Sequence, residues 1–388
     1  MTETPITDLN QLGRIGSEAL RRRDGRAARM AFDRLTAARP TDTGAWFGLA
    51  LACGAQEDGA GMIAALDKVL AAEPGHLPAL IMKADHFAKV GDGRSAVAFY
   101  RAVVARAPPI ETLPPDLREE VRRAERQSVQ YSQSFEAHLR DAVGHAGFDP
   151  ARSSRRFALS LDLLLGKKEV FLQAPTSFYF PELPQRQFYE RGEFPWMAAI
   201  EAKTGLIREE LRRVVADDTA FRPYVQSIGT RPVKEFHDLR DNPKWSAYYL
   251  IEGGSVLAEA AARCPETMEA LRAAPLCASP GRTPSVLFSL LRPGTRIPPH
   301  NGQINARLIC HLPLIVPSGC ALRVGNEVRP WVEGEALIFD DSIEHEAWNN
   351  SEALRVVLLF EIWRPELTLE ERDLVAATLA SVGSYGSD

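Results

Sequence analysis

Three histidines and one arginine stand among apolar, β-branched runs in the last quarter of the chain. His300, His311, His345 and Arg355 all lie between positions 292 and 367. A sandwich or barrel built from such strands would point some of these side chains inward, where an unpartnered polar group is costly. Neutral imidazoles bind Fe(II), Zn(II) or Cu(II), and a guanidinium suits bidentate binding of a carboxylate. A metal and an anionic cosubstrate are therefore suitable partners for this segment.

The spacing of the histidines by itself leaves the metal undecided. The familiar non-haem iron site adds a carboxylate to two histidines. Two residues after His300, where that carboxylate would stand, the chain has Gly302, which cannot bind a metal. A buried pair of structural histidines fits the same pattern. Asp340 and Asp341 are interpreted as structural residues at a strand end, with support of a metal-binding histidine as the alternative.

Short β runs and two helices are predicted around these residues. The β runs cover 285–291, 306–316, 321–324, 336–339, 344–348 and 355–363, with Gly and Pro between them. Such spacing is typical of a sandwich or barrel. Upstream, apolar periodicity predicts helices over 196–215 and 255–274.

The N-terminal third carries an internal repeat. Pro40, Pro74 and Pro108 are 34 residues apart. Equivalent offsets carry small or apolar residues, namely Ala28, Met62 and Ala96, then Phe32, Leu66 and Tyr100, then Leu35, Val69 and Val103. A helix–turn–helix period of this length resembles the tetratricopeptide repeat. Each helix pair exposes an apolar face that the next pair covers, and three repeats form a concave surface for a peptide or protein segment.

Length and composition indicate a soluble protein of two domains. The chain has 388 residues, of which 45% are hydrophobic and 25% charged, and this length exceeds one ordinary compact core. We predict a repeat domain over 1–110, a helical linker or cap over 111–176 and a β-rich domain over 177–388. Within the linker, one long helix is expected from position 116 to about position 146.

Charge and cysteine usage restrict the partners and the compartment. The net charge of -5 gives no case for nucleic acid or an anionic membrane surface. Neither a signal peptide nor a membrane anchor is expected. Five cysteines without CxxC spacing suit a reducing cytoplasm, although Cys264 and Cys277 could still meet in space.

The segment 285–367 resembles the aspartyl/asparaginyl β-hydroxylases. The matching residues are PGTRIPPHNGQINARLICHLPL, EGEALIFDDSIEHEAWN and LRVVLLFEIWRPEL, with weaker similarity from Phe178 onward. The resemblance implies a double-stranded β-helix of the jelly-roll or cupin-like type, with flanking helices, that uses Fe(II), 2-oxoglutarate and O2. The better-known animal members also carry tetratricopeptide repeats before this domain. The expected fold is therefore an all-α repeat domain followed by a double-stranded β-helix oxygenase domain.

The same resemblance assigns the metal ligands. By matching position, His300 and His345 would bind the iron. The family is known for binding iron through two histidines without the usual carboxylate. The glycine at position 302 is thus what the resemblance implies.

Cosubstrate-binding residues follow in the same way. Arg355 would pair with the distal carboxylate of 2-oxoglutarate, and Ser289 would hydrogen-bond to it. His311 would lie near the carboxylate that chelates iron. Two residues before this histidine the better-known members have arginine, whereas this chain has Ile309. Strand alternation leaves Arg307 on the same face, one pleat further away. Either His311 binds the iron-chelating carboxylate with less help from an arginine, or Arg307 reaches across to this carboxylate.

The resemblance implies hydroxylation of an unactivated C–H bond. The expected substrate is the β-carbon of an Asp or Asn residue in a protein or peptide, with the repeat domain helping to hold it. One alternative is the same chemistry on a lipid or a small amino-acid-derived substrate. Another is a non-catalytic repeat scaffold with a degenerate β-helix domain. Trp245, Tyr248 and Tyr249 are interpreted as either substrate-pocket aromatics or core residues.

Overall fold

The computed structural model of the chain describes residues 9–216, 220–227 and 237–384. The chain divides into two compact units between Leu165 and Gly166. The helices of the first unit are α1 (Leu9–Arg21), α2 (Gly25–Ala38), α3 (Thr43–Ala55), α4 (Gly59–Ala72), α5 (Leu77–Lys89), α6 (Gly93–Arg106), α7 (Pro115–His145) and α8 (Arg155–Leu164).

In the first unit, the second helix of each pair follows an aspartate N-cap. Asp24, Asp58 and Asp92 each accept a hydrogen bond from a backbone N–H in the first turn of α2, α4 or α6. Such caps satisfy a backbone donor that the helix itself cannot. All nine small or apolar repeat positions listed above are buried. The predicted period of helix pairs is therefore confirmed, and the predicted long helix is present as α7.

The second unit contains two antiparallel sheets with flanking helices. Its strands are β1 (Phe188–Tyr189), β2 (Arg222–Pro223), β3 (Trp245–Glu252), β4 (Ser255–Val256), β5 (Val286–Leu291), β6 (Thr295–His300), β7 (Arg307–Ile315), β8 (Cys320–Val324), β9 (Glu327–Pro330), β10 (Leu337–Phe339), β11 (His345–Asn349) and β12 (Arg355–Trp363). Its helices are α9 (Met197–Ala202), α10 (Thr204–Val215), α11 (Ala258–Arg263), α12 (Pro265–Ala270) and α13 (Leu369–Ser384).

The strand order is that of a double-stranded β-helix. Within the described residues, the larger sheet runs β1-β10-β7-β12-β5-β3-β2, with β4 paired to β3, and the smaller sheet runs β6-β11-β8-β9. Because side chains alternate along each strand, the two faces of the larger sheet bury different residues. Leu358 and Phe360 of β12 share a core with Leu211 of α10. Val357 of β12 instead packs in a second core with Leu322 of β8, so this face looks toward the smaller sheet.

One expectation about the helices needs correction, and the open question about two cysteines is answered. The single helix predicted over 255–274 is instead β4, α11, α12 and a short 3-10 turn. Pro265 starts α12, and since proline has no N–H to donate, it cannot continue the preceding helix. Cys264 and Cys277 are both buried and form no disulfide. Among the described helices, none has the length and apolar character that crossing a bilayer requires.

Candidate active site

A cavity of about 620 Å³ lies within the second unit, between its two sheets. All six residues predicted for the site line it, namely Ser289, His300, Arg307, His311, His345 and Arg355. Strands β5, β7 and β12 of the larger sheet contribute four of them, and β6 and β11 of the smaller sheet contribute His300 and His345. The alternation of side chains thus brings polar residues from five strands to one inner space.

The two histidines of the smaller sheet are neighbours. His300 and His345 are register partners on adjacent strands, and their ring centroids are 4.1 Å apart. Nδ1 of His300 lies 2.8 Å from the carbonyl oxygen of Pro298, and Nδ1 of His345 lies 3.1 Å from that of Ile343. Because a carbonyl can only accept, each Nδ1 donates and each Nε2 carries the lone pair. This is the ring state in which a histidine binds a metal through Nε2.

Burial keeps both imidazoles neutral. It lowers the pKa of His300, and it lowers the pKa of His345 well below its usual 6.5, with the neighbouring His300 adding to the effect. Neutral imidazole is the form that binds metals. Across the described ranges, no group of three or more His, Cys, Asp or Glu side chains is placed to hold a metal ion.

Asp341 fills the space beside Gly302. A Cβ added at Gly302 would overlap the Oδ2 atom of Asp341, so a larger residue there would have to displace the Asp341 side chain. Asp341 lines the cavity, and its Oδ1 atom is buried with no hydrogen-bond partner among the described residues. The sequence analysis interpreted Asp341 as a structural residue at a strand end, with support of a metal-binding histidine as the alternative. The sequence signal was Gly302, because a residue without a side chain leaves space for another acid at the position of the missing carboxylate.

Arg307 is held by two acids. Its Nη1 donates to Glu361, and its Nη2 donates to Oδ2 of Asp341 over 3.0 Å. Glu361 also accepts a hydrogen bond of 2.9 Å from the backbone N–H of Ser285. These carboxylates offset the charge of Arg307. Sequence reasoning missed Glu361, although this acid interrupts the apolar run of β12 at the same alternation as Arg355.

Arg355 has a different environment. The side chain is 1% exposed, and its guanidinium carbon lies 4.5 Å from the centre of the Trp331 ring. Nη1 donates to the carbonyl oxygen of Ser289 over 3.3 Å, while Nε is buried without a partner. Within the described residues no carboxylate forms an ion pair with it, and burial lowers the pKa of Arg355 to about 10. A buried cation in this state suits an anionic ligand.

His311 and Ser289 lie close to this cation. Burial and the charge of Arg355 lower the pKa of His311 well below its usual value. Its Nδ1 atom is buried without a hydrogen-bond partner in the described part of the chain. The hydroxyl of Ser289 accepts a hydrogen bond of 3.3 Å from the indole N–H of Trp245, which leaves its own O–H able to donate to an anion.

The aromatic residues of β3 divide between the two faces of the sheet. Trp245 and Tyr249 line the cavity, and Trp245 stacks on Tyr224 with ring centroids 4.1 Å apart. Tyr248 belongs instead to the core beneath the helices. Ile309 also lines the cavity, where it adds an apolar wall beside His311.

Comparison with known proteins identifies the family of this chain. The sequence model described as aspartyl/asparaginyl beta-hydroxylase matches residues 201–365, which include all six candidate residues. An ornithine lipid ester-linked acyl 2-hydroxylase of Rhizobium tropici is 35% identical over 226 residues, covering 58% of this chain and 74% of the relative. The chain therefore belongs to the aspartyl/asparaginyl β-hydroxylase family, as the resemblance indicated.

Two human relatives are similar over smaller shares of their length. The aspartyl/asparaginyl beta-hydroxylase of Homo sapiens is 37% identical over 139 residues, which are 36% of this chain and 18% of that protein. The human aspartate beta-hydroxylase domain-containing protein 2 is 28% identical over 206 residues, which are 52% of this chain and 53% of that protein. The relatives named as hydroxylases support an enzymatic activity for this chain.

Proposed function

We propose that the chain is an Fe(II)- and 2-oxoglutarate-dependent dioxygenase that hydroxylates an unactivated C–H bond. One observation carries the proposal. A single cavity holds two adjacent neutral histidines and a buried arginine that no acid of the described residues neutralises. When bound, Fe(II) and 2-oxoglutarate supply the chemistry that uses O2 to convert C–H to C–OH, with release of succinate and CO2.

The residues present fit this metal and cosubstrate. His300 and His345 would hold the iron through Nε2, because the carbonyl contacts described above fix each Nδ1 as a donor. The buried Oδ1 atom of Asp341, which lacks a partner in the described residues, offers an acceptor in the same cavity. Two protein ligands leave the remaining coordination positions to the cosubstrate and O2.

The opposite end of the cosubstrate would be bound by charge. Arg355 and the hydroxyl of Ser289 would bind the distal carboxylate. His311 would support the nearer carboxylate. Arg307 is the weaker candidate for that role because Glu361 and Asp341 already engage it.

The favoured substrate is the β-carbon of an Asp or Asn residue in a protein or peptide. The family description and the human relative support it. The helix repeats of the first unit are of a kind that forms concave binding surfaces, which supports a peptide held by that unit. Five free, buried cysteines suit a reducing compartment, and they support the proposed cytoplasmic location.

A lipid acyl chain is the second candidate substrate. The observation in its favour is the share of each relative that matches this chain. The match spans 74% of the Rhizobium acyl 2-hydroxylase but 18% of the human β-hydroxylase. Hydroxylation next to an acyl ester would need the same metal and cosubstrate residues, so the cavity itself serves both candidates.

Release of succinate tests the proposal. Purified protein would receive Fe(II), 2-oxoglutarate and O2 with either Asp- and Asn-containing peptides or an acylated amino-acid lipid. We expect metal-dependent succinate and a product 16 Da heavier than one of these substrates, a mass set by one inserted oxygen atom. His345→Ala should abolish both, whereas His138→Ala, an exposed histidine of α7, should change neither. Equal turnover in wild type and His345→Ala would overturn the proposal.

A further inference from the structure

Residues 173–178, termed the strap here, connect the two chain segments that carry the site histidines. One segment, 301–305, follows His300, and the other, 340–343, precedes His345. The strap donates backbone hydrogen bonds to both, from Ala174 to Ser342 (2.8 Å), from Thr176 to Gly302 (2.9 Å), and from Ser177 and Phe178 to Gln303 (2.9 and 3.0 Å). Every one of these residues lies outside strands β6 and β11, so the sheet pairing of the histidines is supplemented by a third stretch of chain.

The side chain of Gln173 makes the same connection. It is 7% exposed. Its Nε2 donates to Oδ2 of Asp340 over 2.7 Å, and its Oε1 accepts from Nδ2 of Asn305 over 3.0 Å. One amide thus bonds to a residue on each of the two histidine-carrying segments, and it uses both its donor and its acceptor to do so.

Asp340 completes a buried network. It is 0% exposed and accepts hydrogen bonds from Arg364 (2.9 Å) and from the hydroxyl of Ser342 (2.6 Å). The same Nη1 atom of Arg364 lies 3.2 Å from the carbonyl oxygen of Asn305. In a low-dielectric interior such a network is rigid when every member is paired and unstable when one partner is lost.

The number of metal ligands makes this rigidity matter. A site with two protein ligands depends more on their separation than a site in which a third ligand also fixes the metal. Contacts that hold a metal-binding side chain in place are typically worth about 10- to 100-fold in metal affinity. The strap also lies upstream of residues 201–365, the part of the chain that the family model matches.

We propose that the strap is a positioning element, in which Gln173, through Asp340 and Asn305, sets the separation of His300 and His345 for metal binding. This inference rests on the proposed metal site. Gln173 touches neither histidine, so it acts through the two segments and has no part in the chemistry itself.

Metal affinity tests the role of Gln173. The full-length protein would be titrated with Co(II), and the visible absorption of the bound ion would report both affinity and ligand geometry. Gln173→Met keeps the length of the side chain but removes its donor and acceptor. We expect Co(II) to bind about 10- to 100-fold more weakly, with an altered spectrum.

A matched control separates positioning from stability. Thr267→Val removes a buried hydrogen bond of 2.6 Å between Thr267 and Glu210 in α12, whose residues do not line the cavity. It should lower the melting temperature and leave Co(II) affinity unchanged.

Asn305→Ser offers a second test of the same network. Because Gln173 and Asn305 act through one contact, the double variant should weaken Co(II) binding by less than the product of the two single effects.

The outcomes distinguish the two proposals. If the wild-type protein binds no Co(II), the proposed metal site is wrong. If the wild type binds Co(II) and Gln173→Met binds it equally well, the metal site stands and the strap inference is overturned. If Gln173→Met and Thr267→Val weaken Co(II) binding equally, the strap inference is also overturned, because the weakening would then reflect a general loss of stability.

Discussion

Replacing Arg355 with methionine should stabilise the free protein and prevent cosubstrate binding. Burial lowers the pKa of Arg355 from 12.5 to about 10, and at about 1.4 kcal/mol per pH unit the buried charge costs the fold about 3.5 kcal/mol. Stacking on Trp331 offsets about 2 kcal/mol of that cost. Methionine fills similar space without a charge. We therefore expect the free energy of unfolding to rise by about 1.5 kcal/mol.

Arg364→Met is the matched control for this effect. Arg364 is also fully buried, but it pairs with Asp340 at 2.9 Å. Removing it leaves a buried carboxylate without its cation, which costs about 3–5 kcal/mol. Two buried arginines of one domain should therefore respond in opposite directions. Arg364 has an acid partner within the protein, whereas Arg355 would pair with an anion only when the proposed cosubstrate binds.

Guanidinium denaturation with and without 2-oxoglutarate measures both effects. Loss of one partner of a buried charge pair costs about 2–5 kcal/mol in binding, so Arg355→Met should bind the cosubstrate about 30- to 5,000-fold more weakly. Ligand-induced stabilisation should disappear over the same concentration range. A loss of 3 kcal/mol or more of stability in ligand-free Arg355→Met, or unchanged cosubstrate affinity, would refute the reasoning.

Three further predictions concern the same cavity. Trp331→Leu should lower the free energy of unfolding of the ligand-free protein by at least about 1–2 kcal/mol, because the stacking on Arg355 is lost from the folded state; an unchanged stability would contradict this. Gly302→Ala should displace Asp341 and lower the free energy of unfolding by about 1–3 kcal/mol in urea, whereas Gly75→Ala, at a site with open space, should not. Burial lowers the pKa of His311 and His345, so from pH 7 to 5.5 the unfolded chain binds more protons and metal-free stability should fall, by up to about 1.4 kcal/mol per pH unit for each histidine; the slope should be smaller in His311→Phe, and a stability independent of pH would contradict the prediction.

The site strands could be predicted because polar residues interrupt apolar runs at regular alternation. Ser289, His311 and Arg355 each stand in a run long enough to be a buried strand, so their inward direction followed from the period of two. The repeat unit was predictable for a similar reason, since its apolar positions recur at a constant period.

Elements whose composition opposes their structure were harder to predict. Strand β6 contains Pro298 and Pro299 in its six residues, a composition that argues against a strand. The structure resolves this conflict by placing β6 at an edge of the smaller sheet, where a missing N–H is tolerated. The helix predicted over 255–274 was wrong because the apolar period continues across Pro265, whereas the backbone hydrogen bonding cannot.

Contacts made by tertiary folding had no local signal. Gln173 and Asp340 are separated by 167 residues, and neither belongs to a recognisable motif with the other. Trp331 reaches Arg355 from the segment between β9 and β10. Residues that line the cavity could therefore be predicted from the sequence, while the contacts of Gln173 and Trp331 emerged only with the fold.

The most direct test of the central claim is a titration without oxygen. Wild-type protein loaded with Fe(II) and 2-oxoglutarate should develop the weak visible charge-transfer band of a chelated 2-oxo acid. His345→Ala should show no band, Arg355→Met should need far more cosubstrate to reach it, and His138→Ala should match wild type. A wild-type protein that develops no band with Fe(II) and saturating 2-oxoglutarate would contradict the assignment of this cavity.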